Sequence, residues 1–231
     1  MMDLGANLAR IRTAIAAACA RCGRDPANVR LVAVSKTHPA ALVEEAYRAG
    51  QSCFGESYVQ EFLTKAELVK VPVSWHFIGH LQSNKVKSLP GRVAMIHSVD
   101  RLALAEEIDR QWGKVGTRAE VLIEVNLGGE ASKAGVAEAD LLPLLRRVAQ
   151  LPHLAIRGLM TLPPYLADPE EVRPYFRRLR ELARQLDALA LPGVSMAELS
   201  MGMSHDFTVA IEEGATLVRI GTAIFGDRET R

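Results

Sequence analysis

Lys36 directly follows the apolar run Leu31-Val32-Ala33-Val34 and Ser35, where a buried strand should come to its end. Side chains alternate along a strand, so Val32, Val34 and Lys36 share one face. An amine held in such a partly desolvated place loses proton affinity and becomes a nucleophile suited to Schiff-base chemistry. The competing reading is a lysine that carries its ammonium out to solvent, and position alone weighs the two equally. A second cation, Arg219, lies inside Thr216-Leu-Val-Arg-Ile-Gly221, on the face shared by Leu217 and Gly221. A guanidinium in an apolar strand is costly without a partner, which implies either a structural ion pair or a ligand. Gly221–Thr222 and Ser200–Met201–Gly202 offer backbone N–H groups and hydroxyls of the kind that hold phosphate, although each also reads as a plain turn.

Two other constellations carry less. Cys19-x-x-Cys22 has the spacing of a redox pair or half a zinc site, with Cys53 as an odd third cysteine. No second pair completes a metal site, and small buried residues are the favoured reading. His76 and His80 are four apart, but WHFIG reads as a strand, where that spacing does not give the helical zinc geometry.

These residues need elements to hold them. Short β-prone runs recur at Leu31–Ser35, Ser52–Gly55, Trp75–Gly79, Val93–Val99, Val121–Asn126, Ile156–Met160, Glu198–Met201 and Thr216–Gly221. Helical patterns separate most of them, at Pro39–Ala49, Glu56–Val69, Arg101–Trp112, Glu138–Gln150, Pro169–Leu191 and Ser204–Glu213, with a short connection at Leu81–Ser88. Eight strand–helix alternations predict an α/β fold, a single (β/α)8 TIM barrel over residues 1–231 with an extra N-terminal helix at Asp3–Arg21. A doubly wound sheet lacks the G-x-G-x-x-G signature after its first strand. In a barrel the functional residues sit at the C-terminal strand ends. That places Lys36, Glu56, Ser57, His80, Asn126, Thr161, Ser200, Gly221 and Thr222 at one mouth.

The bulk numbers narrow the partners. The 231 residues are 48% hydrophobic and 24% charged, and 28 Lys plus Arg against 27 Asp plus Glu give a formal charge of +1. No long basic tract supports a nucleic-acid or membrane partner. Arg10 and Arg12 before TAIAAACA imitate a signal peptide, but Leu4, Leu8, Ile11, Ile15 and Cys22 recur at helical spacing, so an amphipathic helix and a cytoplasmic location are expected.

A nucleophilic amine, a phosphate corner and an arginine for a ring nitrogen together describe pyridoxal phosphate. The segments AVSKTHP, FGESYVQE, WHFIGHLQSNK, IHSVD, RGLMT, LSMGMSHDF and VRIGTAIFG resemble the pyridoxal phosphate homeostasis protein family, in order and over nearly the whole chain. The resemblance implies a barrel like the N-terminal domain of alanine racemase, with Lys36 carrying the cofactor as an internal aldimine. It further implies cofactor contacts from Ser200, Met201, Arg219, Gly221 and Thr222. The family usually reads GENYVQE, whereas Ser57 stands here in place of the asparagine, so a contact from Ser57 reaches the cofactor only through water.

A racemase needs acid/base groups on both faces of its substrate, and in enzymes of this resemblance a tyrosine from a further β-domain supplies one. The chain ends at Arg231, just after the last strand, and its tyrosines are Tyr47, Tyr58, Tyr165 and Tyr175. The expectation is a monomeric carrier of pyridoxal phosphate serving its homeostasis, with PLP-dependent apoenzymes as partners. A weak amino-acid racemase is the alternative, and a cofactor-free lysine aldolase a third reading. Lys133 is the next candidate anchor should Lys36 not carry the cofactor.

Overall fold

The structure is a computed structural model that describes residues 3–130 and 134–226, so Lys133 lies outside the described residues. Helix α1 (Leu4–Arg21) opens the chain, capped by the Asp3 carboxylate, which accepts from the Ala6 N–H at 2.9 Å. Its buried stripe is Leu4, Leu8, Ile11, Ile15, Ala18 and Cys19. Cys19, rather than Cys22, completes the apolar face. The cysteines are free thiols, and the described residues hold no cluster of His, Cys, Asp and Glu able to bind a metal.

Nine strands follow among the described residues: β1 (Arg30–Val34), β2 (Cys53–Glu56), β3 (Ser74–Phe77), β4 (Met95–Val99), β5 (Ala119–Asn126), β6 (Val136–Ala137), β7 (Leu154–Met160), β8 (Val194–Ser200) and β9 (Leu217–Ile220). They are parallel and run β4-β3-β2-β1-β9-β8-β7-β5, and the β4–β5 pairing closes the ring. The two-residue β6 pairs only with β5 and lies outside the closed ring. This is the expected eight-stranded barrel.

The helices outside it are α2 (Ala40–Arg48), α3 (Val59–Leu68), α4 (Leu102–Lys114), α5 (Glu138–Val148), α6 (Arg173–Asp187), α7 (Phe207–Glu212) and α8 (Thr222–Phe225). Strands and helices share one outer apolar core, and α6 buries Phe176, Leu179 and Leu182 in it. A separate cluster of Val32, Cys53, Met95, Leu122, Met160 and Leu217 fills the barrel interior. That assignment fixes which residues point inward on six of the eight barrel strands. No described helix is long and apolar enough to cross a membrane.

Three elements differ from expectation. Glu56 lies in β2 rather than opening a helix, paired across to Phe77 and fully buried. The connection between β3 and β4 is a 3-10 helix at Ser83–Ser88. The 169–191 segment splits into a 3-10 turn at Pro169–Val172 and α6, because Pro174 supplies no N–H and fits only the first turn of a helix.

Candidate functional site

The β1–β9 pairing assembles the mouth. Val32 pairs with Arg219 and Ala33 with Ile220, so the strand ends that carry Lys36 and Gly221 lie side by side. Lys36 is half-buried two residues beyond Val34, on the inward parity of the interior residue Val32. The turn around it is held on both sides. The Lys65 ammonium donates to the Ser35 carbonyl at 2.7 Å and to Glu56 Oε1 at 2.5 Å, while the Ser35 hydroxyl donates to the same Glu56 oxygen at 2.6 Å. Glu61 takes a third bond from Lys65 at 2.9 Å and accepts the Thr37 N–H at 2.5 Å. Thr37 has φ 68°, a left-handed conformation that costs a non-glycine residue roughly 1–2 kcal/mol. The Glu61 bond holds it there, at the residue after the lysine. Burial pushes the Glu56 carboxyl up, against the pull of Lys65.

Arg219 points into the barrel as its shared face with Leu217 requires, and is 4% exposed. It donates to Ser200 Oγ at 2.6 Å and to the Thr161 carbonyl at 2.9 Å. Burial lowers its pKa to about 10, with Asp206 and Glu124 opposing, so it stays cationic at neutral pH. His97 Nδ1 lies 2.8 Å from Ser200 Oγ, and His97 Nε2 lies 2.9 Å from His76 Nδ1. Burial depresses both imidazoles, His76 to about 4 and His97 well below its usual value, so both are neutral. Glu124, 3% exposed, shares the inward parity of Leu122 and makes no hydrogen bond with the described residues. Burial first, and Asp100 second, raise it to about 7 against the pull of Arg219.

The remaining expected residues fall into three groups. Gly221 sits tightly under β1: a Cβ there would lie 3.2 Å from the Val34 carbonyl oxygen. Thr222 begins α8 at the rim, exposed. Thr161 Oγ1 donates to the Val125 carbonyl at 2.9 Å, and Asn126 braces its own loop through Gly129 and Glu130. Ser57 is half-buried after β2, and its hydroxyl has no hydrogen-bond partner among the described residues.

Two further placements concern the turn after β8. Ser200 is fully buried inside the barrel, its hydroxyl engaged by Arg219 and His97 rather than presented to a phosphate corner. The serine that reaches the Gly221–Thr222 turn is Ser204, whose Oγ lies 3.4 Å from the Ala223 N–H. The Met201 side chain is buried in the outer core, and its N–H donates to the Leu217 carbonyl at 3.1 Å. It faces away from the mouth. Residues not singled out as ligand-facing in the sequence (His97, Glu124, Lys65 and Ser204) complete the setting. A cavity of about 420 Å³ at the opposite end of the barrel, bordered by Arg12, Arg30, Gln51 and Ser74, is remote from this chemistry.

A closed parallel barrel with a lysine at its mouth and an arginine fork beneath defines a class of amine-bearing α/β barrels. The family described as alanine racemase, N-terminal domain, matches residues 6–229. The pyridoxal phosphate homeostasis protein of Aquifex aeolicus (strain VF5) is 50% identical, covering 99% of this chain and 100% of its own length. The protein of the same name from Escherichia coli (strain K12) is 44% identical, over 99% of this chain and 98% of its own. Among solved structures, PipY of Synechococcus elongatus PCC7942 with PLP bound superposes with a TM-score of 0.85 at 40% identity, covering 97% of this chain and 100% of its own. The chain belongs to the pyridoxal phosphate homeostasis protein family.

Proposed function

We propose that this chain binds pyridoxal phosphate at the barrel mouth and acts as a carrier that stores the cofactor and delivers it to apoenzymes. The observation that carries the reading is the β1–β9 register, which sets a half-buried lysine, a buried arginine and a close-packed glycine turn on two neighbouring strand ends. The donor set fits the cofactor. Lys36 offers a primary amine, Arg219 offers N–H donors, and Gly221 leaves room for backbone approach where a side chain would crowd β1. Arg219 and Gly221 stand two residues apart, about 7 Å along a strand, a span comparable with that from ring nitrogen to phosphate.

When bound, pyridoxal phosphate supplies an aldehyde that joins reversibly to a primary amine. Lys36 is the amine that would hold it. The Lys65–Glu56–Glu61 cluster fixes the backbone on both sides of Lys36 and so fixes where its amine starts from. Arg219 can donate to a ring nitrogen but cannot accept a proton from it. Its charge also disfavours protonation of that nitrogen, which weakens the ring as an electron sink. This favours holding over turnover. Tyr58 and Tyr165, the tyrosines nearest the mouth in chain order, are exposed, and the Tyr165 ring lies tilted against His205 at a centroid distance of 5.1 Å.

Incubation with pyridoxal phosphate, borohydride reduction and mass spectrometry test the anchor. The native chain should gain a visible absorbance and a reducible adduct, and Lys36→Ala should lose both. A reducible adduct persisting in Lys36→Ala would move the anchor, with Lys133 the next residue to test. Sedimentation should return a monomer. Racemisation of an amino acid at ordinary enzymatic rates, about 1–10³ per second, would overturn the carrier reading.

A further inference from the structure

We infer that His97 and His76 are positioning residues for Arg219, holding its guanidinium through Ser200 in the orientation that meets the ring nitrogen of the ligand. The inference rests on the reading of the mouth as a pyridoxal phosphate site. It begins from what each group can do. Arginine only donates, so its 2.6 Å contact makes Ser200 Oγ an acceptor. The serine hydroxyl hydrogen then needs an acceptor of its own, because an unsatisfied donor inside a barrel is costly. Ser200 is fully buried, and its other close partner is His97 Nδ1 at 2.8 Å.

A neutral imidazole has one donor and one acceptor. If Ser200 donates to His97 Nδ1, the His97 proton sits on Nε2 and donates across 2.9 Å to His76 Nδ1. The proton of His76 is then on its Nε2. The opposite polarity would have Ser200 accept from both Arg219 and His97 while its own hydrogen had no place to go. Only the outward direction uses every group between Arg219 and His76. The nearby cation reinforces it, since a hydroxyl that accepts from a guanidinium becomes a better donor.

This chain is not needed merely to fill the barrel. Met95 stands two residues before His97, and Leu217 two before Arg219, on the same inward faces, and both belong to an apolar cluster that fills its space with carbon and sulfur. One step nearer the mouth the filling becomes polar and directional. On the far side of the fork the Thr161 carbonyl takes a second guanidinium N–H at 2.9 Å. Ser200 and Thr161 thus fix two of its five donors. A histidine that acted only as packing would not need both ring nitrogens in contact.

The test compares His97→Leu with His97→Gln. Glutamine keeps an acceptor for Ser200 and a donor for His76, whereas leucine keeps only volume. Loaded with pyridoxal phosphate, His97→Leu should retain the reducible adduct on Lys36 but shift its absorbance maximum and weaken affinity about tenfold. His97→Gln should return both towards the native values. A native spectrum and affinity in His97→Leu, or no rescue by glutamine, overturns the positioning role. An absent adduct in the unaltered protein would instead sink the ligand reading. The hydrogen-bond direction stays measurable without ligand, and without any variant that fails to fold. Nitrogen-15 NMR of the native protein should show His97 protonated on Nε2 and unprotonated on Nδ1, and a proton on Nδ1 refutes the inference.

Discussion

Glu124→Gln should stabilise this protein at alkaline pH and do little in acid. Glu124 is 3% exposed with no hydrogen-bond partner among the described residues, and its pKa is raised from the ordinary 4.5 to about 7. Burial is the leading cause, Asp100 adds to it, and Arg219 opposes both. The sign follows from which state binds the proton. Between pH 4.5 and 7 the folded chain keeps a proton that the unfolded chain releases, so stability falls as pH rises through this window. Above the folded pKa the loss is complete. A gap of about 2.5 pKa units corresponds to about 3 kcal/mol at pH 8 and under about 1 kcal/mol at pH 5. Glutamine has the same shape and no charge, so it removes the loss. Of the neighbouring buried groups, His76 and His97 stay neutral and Arg219 stays cationic at both pH values, so the difference between pH 5 and pH 8 reports Glu124. Urea unfolding of the two proteins at pH 5 and pH 8 measures it. The gain should appear at pH 8 and shrink by about 2 kcal/mol at pH 5. An equal gain at both pH values, or none at pH 8, would mean that Arg219 keeps the carboxylate ionised in the fold.

Two other substitutions separate the site from its scaffold. Gly221→Val adds branches where a Cβ alone lies 3.2 Å from the Val34 carbonyl oxygen, so it should cost about 1–3 kcal/mol and lower pyridoxal phosphate affinity disproportionately; titration and thermal melting read the two effects apart. Unchanged affinity would remove the ligand from this corner. Lys65→Met leaves Glu56 fully buried without its cation, at a cost of about 3–5 kcal/mol by urea unfolding. The double variant Lys65→Met, Glu56→Leu should recover much of that loss, and no recovery would show that the pair does not act as a unit.

The barrel was legible because each parallel strand is a short apolar run followed by a helical pattern, and burial on both faces makes such runs conspicuous. The misreadings share a cause. Glu56 reads as the polar opening of a helix, but a cation nine residues later allows a strand to bury it. β8 begins at Val194, four residues before the apparent run, since VSMAE is only partly buried at the barrel's outer end. The strand exists there because β7 offers its edge, with a register shift between Ile156 and Gly158 that no periodicity announces.

Within the site, the charged residues were legible and the neutral ones were not. A lysine or arginine in an apolar strand is anomalous by composition, so Lys36 and Arg219 stand out unaided. Ser200 and Ser204 cannot be told apart along SMGMS by spacing. Gly202 between them has φ 90°, and that left-handed step redirects the chain, leaving the first serine inside the barrel and bringing the second to the Gly221 turn. His97 and Glu124 carried a signal of another kind. Each follows an inward apolar residue by two, Met95 on β4 and Leu122 on β5, as Arg219 follows Leu217 on β9. A polar residue at that offset on three separate strands marks where the inward side chains turn from apolar to polar. Parity identifies this change only after an inward residue of the strand is known, and the barrel closure supplies that knowledge.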